Sequence, residues 1–126
     1  MTIQTSIATA RIGGPSQQAD GTASIEFKFQ PTDPVFAGHF PKQPLVPGVF
    51  QLEMARIGAE WLLGERLSVC EISRAKFLRP IVPAEVVRMN LKLSKNDEKI
   101  GVRATFSVGG QAAGETILML IKANGI

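Results

Sequence analysis

The chain has 126 residues, of which 44% are hydrophobic and 20% charged, and its net charge is +3. This length favours one globular domain, residues 1–126, and the scattered basic residues do not indicate a nucleic-acid-binding protein. A single cysteine, Cys70, excludes an internal disulfide and a cysteine-based metal site, and a single histidine, His39, excludes a cluster of imidazole ligands.

Two strands are predicted near the N-terminus. Residues 22–29 alternate apolar and polar side chains, with the period of two that is typical of a half-buried strand. An earlier strand is expected at about Thr5–Ile12, closed by a turn at Gly13-Gly14-Pro15. Five prolines then fall between positions 31 and 47, and because proline lacks an amide N–H and restricts the residue before it, a long, stiff loop is predicted there.

A helix is predicted from about Pro47 or Gly48 to Leu63, with Gly64 at the position that commonly ends a helix. It is apolar on most sides, which indicates a buried helix. Its few polar side chains, Glu53, Arg56 and Glu60, fall on one stripe at spacings of three and four.

Four further strands are expected after this helix. They lie at Val69–Phe77, at 87–93, at 100–108 and at Gly114–Ala123, and a turn at residues 95–98 makes a hairpin of the middle two. The order of two strands, one helix and four strands predicts an α+β fold in which an antiparallel sheet wraps around a single helix.

His39 is the first candidate catalytic residue. Gly38 removes bulk beside it, and flanking prolines fix the backbone, so the imidazole can be held precisely without a regular element. An ordinary imidazole pKa of about 6.5 suits a base or an acid near neutrality. The alternative is a structural histidine.

Glu53 is the second candidate. A carboxyl on an apolar helix favours its neutral form, as a general acid requires. The alternative is an ordinary ion pair with Arg56, three residues later. Gly48 is the third candidate, because the amides at a helix start lack intrahelical partners and could hold a carbonyl oxygen that gains negative charge. Gly48 could equally serve only to ease the turn.

The run PVFAGHFPKQPLVPGVFQLE, residues 34–53, resembles the signature of the FabZ/FabA-type 3-hydroxyacyl-acyl carrier protein dehydratases. A glycine-histidine-phenylalanine-proline loop precedes a proline-glycine and an acidic residue, and the spacing from His39 to Glu53 is kept. The run AKFLRPIVPAEVVRMNLKL, residues 75–93, resembles a sheet segment of the same family.

The resemblance implies a hot-dog fold and a dimer whose two sites each take the histidine from one subunit and the acid from the other. His39 would remove the C2 proton of a (3R)-hydroxyacyl thioester, and Glu53 would protonate the leaving hydroxyl to give a trans-2-enoyl product. The Gly48 N–H would hold the thioester carbonyl, and the backbone carbonyl of Leu45 would orient the histidine. Val49 and Arg56 are further substrate-binding candidates.

The resemblance also implies partners and a role in the cell. The substrate would arrive on an acyl carrier protein, in fatty-acid or related acyl-chain synthesis, and no metal or organic cofactor would be used. Basic residues at Arg74, Lys76 and Arg79 could dock the acidic carrier. The assembly would be a homodimer, a higher dimer-based oligomer, or a heterodimer with another hot-dog chain. The sequence contains no candidate membrane span and no visible signal peptide, so the cytoplasm is the expected compartment.

Several departures from the family pattern indicate a divergent member. Arg56 stands where a small residue is usual, Ile57 stands where glutamine is usual, and the chain has no tyrosine. Arg56 would weaken Glu53 as an acid, or contact the substrate or carrier. These departures favour one alternative to a dehydratase, a non-catalytic or partner-dependent hot-dog subunit that binds acyl carrier protein. A second alternative is an acyl thioesterase, which would share the fold and an acid on the helix.

Overall fold

The structure is a computed structural model and describes residues 2–36 and 45–123. The elements in chain order are α1 (Ile3–Ala10), β1 (Arg11–Gln17), β2 (Ala23–Lys28), a short 3-10 helix (Pro34–Phe36), α2 (Gly48–Leu63), β3 (Leu67–Phe77), β4 (Val86–Asn96), β5 (Lys99–Val108) and β6 (Gln111–Lys122).

The six strands form one antiparallel sheet in the order β1-β2-β4-β5-β6-β3. Helix α2 packs against β3, β4, β5 and β6, so the sheet covers it along most of its length. This is the α+β architecture that the sequence predicts. No helix in the described part of the chain is long and apolar enough to cross a membrane.

Helix α2 has the predicted bounds. It begins at Gly48 after Pro47, and Gly64 ends it in the left-handed conformation with φ of 66°, donating its N–H to the Glu60 carbonyl at 2.8 Å. Only glycine adopts this conformation at little cost, which explains the stop. The helix is not buried all round, because Val49 is 50% exposed.

The hydrophobic core lies between α2 and the sheet. Inward-facing side chains alternate along the central strands as the period of two requires, and the largest fully buried ones include Ile25, Phe27, Phe50, Met54, Met89, Leu91, Phe106, Leu118 and Leu120. Helix and sheet approach closely at Gly58, where an added Cβ would lie 2.7 Å from Leu91 Cδ1.

The strand expected at about Thr5–Ile12 is wrong, because residues 3–10 form helix α1. The Thr2 side chain caps this helix by accepting the Thr5 N–H at 3.1 Å. Ser6, Ile7 and Ala10 are buried at helical spacing, and contacts with α2 stabilise them there. The described fold therefore has two α-helices, of which only α2 is long and central.

The turn expected at Gly13-Gly14-Pro15 is also wrong. These residues lie within β1, which shifts register on either side of Gly13 as it pairs with β2. Gly14 has φ of 87°, and a Cβ there would meet the backbone of Ser24 and Ile25. The glycines and proline thus mark an irregular strand rather than its end.

The later strands are confirmed with small changes of boundary. The β4–β5 hairpin turns at Asp97 and Glu98, and Asp97 has φ of 59°, a conformation that aspartate tolerates. Strand β3 begins at Leu67, and β6 begins at Gln111, three residues before the predicted Gly114.

Candidate functional site

A cavity of about 470 Å³ opens at the N-terminus of α2. Its lining combines the segment before α2, the first turn of α2 and the segment after β3: Leu45, Val46, Pro47, Gly48, Gln51, Phe77, Leu78, Arg79, Pro80 and Ile81. The Val46 N–H donates to the Ile81 carbonyl at 2.7 Å, which ties the two loop segments together. Two of the predicted site residues, Leu45 and Gly48, are therefore brought together here.

Gly48 gives this cavity a polar end. The N-cap of α2 is Pro47, whose side chain makes no capping hydrogen bond to the first amides of the helix. These amides lie at the positive end of the helix dipole, where an oxygen that gains negative charge is favoured. A Cβ at position 48 would lie 2.8 Å from the ring of Phe77, so the close approach of this ring also requires glycine.

Gln51 lines the same cavity and was not among the residues predicted from the sequence. It is 2% exposed, and its Oε1 has no hydrogen-bond partner among residues 2–36 and 45–123. A polar side chain within the otherwise apolar run from Val49 to Leu52 is the signal that could have identified it.

Glu53 faces away from this cavity and is bound by Arg56. The Arg56 Nη2 lies 2.6 Å from Glu53 Oε2, and Arg56 Nε donates to both carboxylate oxygens at 3.2 and 3.3 Å. The predicted ion pair is thus present. Both side chains are mostly buried, at 23% and 15% exposed, which shields the pair from solvent.

Arg56 also links α2 to the start of β3. Its Nη1 donates to the Leu67 carbonyl at 3.2 Å and lies 3.1 Å from Glu60 Oε2, which in turn accepts the Leu67 N–H at 2.8 Å. The hydrogen bond to Glu53 raises the pKa of Arg56 above its ordinary value, although burial opposes the rise. The guanidinium stays charged and holds its partners in fixed positions.

The structure brings together only part of the predicted site. Val49, Glu53 and Arg56 do not line the cavity that Leu45 and Gly48 share. His39 and the surrounding Gly38–Pro41 loop lie outside the described residues, so the pairing of His39 with Glu53 stays a prediction. Among residues 2–36 and 45–123, no three His, Cys, Asp or Glu side chains are grouped so that they could hold a metal ion.

Two of the three basic residues considered for carrier docking are in ion pairs. Arg74 lies 3.1 Å from Glu115, and Arg79 lies 2.8 Å from Glu85. The Val82 N–H and Arg79 lower the pKa of Glu85, because they stabilise its charged form. Lys76 is exposed on β3 between the two arginines.

The sequence is similar to those of known dehydratases. The chain is 35% identical over 94 residues to a 3-hydroxyacyl-acyl-carrier-protein dehydratase FabZ of Clostridium botulinum (strain Kyoto / Type A2). That match covers 68% of this chain and only 65% of the relative, so it spans less than two thirds of the relative's length. The FabZ of Pelotomaculum thermopropionicum is 35% identical over 109 residues, covering 79% of this chain and 78% of the relative.

Solved structures agree in fold. The dehydratase heterocomplex ApeI:P from Xenorhabdus doucetiae contains a chain that is 28% identical, with a TM-score of 0.71, and the match covers 89% of this chain and 96% of that one. A Staphylococcus aureus acyl-CoA hydrolase mutant, at 13% identity, matches with a TM-score of 0.60 over 86% of this chain and 70% of that one, and shows the fold alone. A family model described as ApeI-like, ApeI dehydratase, matches residues 15–116. The chain therefore has the hot-dog fold and belongs to the ApeI-like dehydratase family.

Proposed function

We propose that this protein dehydrates (3R)-hydroxyacyl thioesters to trans-2-enoyl thioesters, with the acyl group delivered on an acyl carrier protein. The observation that supports this most directly is the cavity at the start of α2, which Leu45 and Gly48 both line. Both residues lie within residues 15–116, the part of the chain that matches the dehydratase family. An apolar cavity with a few amide donors at one end suits an acyl thioester.

In this mechanism the Gly48 N–H binds the thioester carbonyl and stabilises the negative charge that develops on its oxygen when C2 loses its proton. His39 takes that proton, and the Leu45 carbonyl orients its ring. The electron pair of the broken C2–H bond forms the C2–C3 double bond as the C3–O bond breaks. Glu53 supplies the proton with which the hydroxyl leaves as water.

A dimer would reconcile this mechanism with the position of Glu53. Glu53 is five positions after Gly48, so it lies about 140° round the helix and cannot face the same cavity. Its carboxylate is bound by Arg56, and the same guanidinium donates to the carbonyl of Leu67 at the start of β3. Strand β3 is at one edge of the sheet, and after Leu67 all of its residues are exposed. If a second copy paired along this edge, its cavity would lie next to Glu53 of the first copy.

The β3 edge suits such pairing better than the opposite edge. It has 11 residues and exposes Val69, Ile72 and Phe77. The opposite edge strand, β1, has seven residues and contains Pro15 and two register shifts, features that discourage edge-to-edge pairing. A homodimer, or a heterodimer with another hot-dog chain, is therefore part of the proposal.

Hydration of a crotonyl-type thioester, the reverse reaction, tests the proposal. The His39→Ala and Glu53→Gln variants should each lose at least about 100-fold in kcat/KM, as expected when a general acid or base is removed. An unchanged circular dichroism spectrum would show that each variant keeps its fold. Full activity in either variant would refute the assigned roles. Release of free thiol instead of an enoyl product would indicate a thioesterase.

A second function is favoured by the ion pair between Arg56 and Glu53. A carboxylate that is already bound by a guanidinium is poorly placed to donate a proton, and a chain of this kind could act only beside a partner that supplies the acid. The similarity to a chain in a dehydratase heterocomplex supports this alternative. It predicts no turnover by the chain alone and a stable complex with another hot-dog chain, so turnover by the single purified protein would exclude it.

A further inference from the structure

The side chain of Gln51 lines the cavity, and the oxygen of its carboxamide is buried. The residue is 2% exposed, and within the part of the chain that the structure describes its Oε1 has no hydrogen-bond partner. Leaving a buried acceptor unpaired costs free energy, and such groups in a folded protein call for an explanation. Gln51 is one helical turn beyond Gly48, so both residues are on the face of α2 that lines the cavity.

The neighbouring strands are shaped to admit this side chain. Gly114 of β6 lies against it, and a Cβ at that position would collide with Gln51 Oε1. Gly114 is also the cross-strand partner of Phe77, whose ring covers Gly48. Two glycines on two elements therefore make room, Gly114 for the carboxamide and Gly48 for the Phe77 ring that lines the cavity beside it.

A second unpaired polar atom in the described part of the chain provides a comparison. Thr116 Oγ1 is also buried without a partner, and Thr116 is 0% exposed. It lies two residues after Gly114 on the same inward side of β6, but it does not line the cavity. Thr116 thus matches Gln51 in burial and lack of a partner and differs in access to the cavity.

We propose that the carboxamide of Gln51 is a substrate-positioning group, which accepts a hydrogen bond from a donor on the acyl thioester bound in this cavity. The last side-chain torsion of glutamine is broad, so Oε1 can turn toward a ligand at little cost. The inference rests on the proposed function for the class of ligand. The Gln51 contact would be additional to the hydrogen bond from the Gly48 amide, so the thioester would be held in the cavity at two points.

Two parts of such a substrate could supply the donor. One is the 3-hydroxyl of the acyl group, and the other is an amide N–H of the pantetheine-like arm that carries it. Both are neutral donors and would pair equally well with a carboxamide oxygen. A set of four thioesters distinguishes the two donors. The acyl group is 3-hydroxybutyryl, which has the hydroxyl, or crotonyl, which lacks it. Each acyl group is carried on N-acetylcysteamine, which has an amide N–H, or on 2-methoxyethanethiol, which has no donor.

Binding of these four compounds to the full chain is measured by calorimetry for the wild type, Gln51→Met and Thr116→Val. Methionine keeps the length of glutamine without its amide, and Gln51→Leu is the second variant if Gln51→Met does not fold. Loss of one neutral hydrogen bond should weaken binding about 3- to 10-fold, and only for compounds that carry the relevant donor. The Thr116→Val control should bind all four as the wild type does.

Thermal unfolding without ligand provides a readout that is independent of activity. If Gln51 is kept for binding, Gln51→Met removes an unpaired buried group, and its Tm should equal or exceed that of the wild type. A lowered Tm with unchanged binding would make Gln51 a structural residue and overturn the proposal. The proposal would also be overturned if the wild type and Gln51→Met bound all four compounds equally, or if the wild type bound none of them. Donor-dependent binding without turnover would instead refute the dehydratase proposal and leave the role of Gln51 intact.

Discussion

Arg56 binds the carboxylate of Glu53 through three hydrogen bonds, the shortest of them 2.6 Å between Nη2 and Oε2. The same guanidinium contacts Glu60 and the Leu67 carbonyl, so it connects the proposed acid to the beginning of the exposed edge strand. The residue that departs most clearly from the family pattern is thus in direct contact with the residue on which dehydration is proposed to depend.

Replacing Arg56 should change stability and activity in opposite directions. Arg56→Met keeps the apolar stem but removes the contacts to Glu53, Glu60 and Leu67, and should lower the free energy of unfolding by about 1–3 kcal/mol. Without the guanidinium, which holds Glu53 Oε2 at 2.6 Å, the carboxyl is free to turn toward the leaving hydroxyl, so kcat for a 3-hydroxyacyl thioester should rise about 3- to 10-fold. Urea unfolding and steady-state kinetics measure the two effects.

The control for this variant is Arg88→Met, the same substitution at an exposed arginine of β4. It should alter stability by less than about 0.5 kcal/mol and leave kcat unchanged. A fall in kcat for Arg56→Met, with Arg88→Met unaffected, would show that Arg56 assists the reaction instead of restraining Glu53.

Charge on the β3 edge should separate the proposed dimer. Ile72 on β3 is 51% exposed, and Ile12 on the opposite edge strand is 56% exposed. Ile72→Glu places like charges close together across a β3–β3 interface and should give monomers in light scattering, with loss of turnover. Ile12→Glu, the matched control, should remain dimeric and active. A dimeric Ile72→Glu protein would exclude this edge as the interface.

Carrier docking can be tested at Lys76. Charge reversal by Lys76→Glu should raise KM about fivefold for a carrier-bound substrate at low ionic strength, and less at high salt, because exposed charges are screened. KM for the same acyl group on N-acetylcysteamine should not change. Lys92→Glu on β4 is the control. An equal KM for the carrier-bound substrate in wild type and Lys76→Glu would remove Lys76 from the docking surface.

Acid stability should depend on Glu115. The hydrogen bonds from Arg103 lower the pKa of Glu115 below its ordinary value of 4.5, with a further contribution from Arg74. Because the folded pKa is the lower one, this stabilisation is complete above pH 4.5 and is lost as the pH falls through the folded pKa. Glu115→Gln should therefore lose less free energy of unfolding than the wild type on acidification below that value.

Urea unfolding between neutral pH and about pH 3 measures this difference. Glu98→Gln, in the exposed β4–β5 turn, is the control and should follow the wild type. Equal dependence on pH in the wild type and Glu115→Gln would show that the Arg103 contact contributes nothing to acid stability.

Local patterns in the sequence were sufficient for the elements that repeat a clear period. The alternation in β2, β4 and β5 and the Gly64 stop of α2 each reflect a local rule, and the structure agrees with them. Helix α1 was missed because burial of Ile7 and Ala10 against other elements decides its conformation. The glycines of β1 were mistaken for a turn because a strand irregularity and a turn use the same residues.

The site residues also divide into those that local sequence patterns indicate and those that depend on contacts between distant parts of the chain. Gly48 could be placed from the sequence because it stands at the start of a predicted helix, and Leu45 could be placed only through the family resemblance. The ion pair of Glu53 with Arg56 could be considered from spacing alone, but its connection to Leu67 depends on how β3 leaves the helix. For Gln51 the sequence offers only a polar residue within an apolar run, and its burial against Gly114, far away in the chain, depends on the tertiary fold.

Turnover by the single purified chain is the most direct test of the central claim. The protein is incubated with a short series of (3R)-hydroxyacyl thioesters on acyl carrier protein, and formation of the trans-2-enoyl product is followed by mass spectrometry of the carrier-bound species. A dehydratase of the proposed kind releases water from at least one of them without any added protein, and the His39→Ala variant does not. Absence of the enoyl product across the series, with activity appearing only when a second hot-dog chain is added, would contradict the claim.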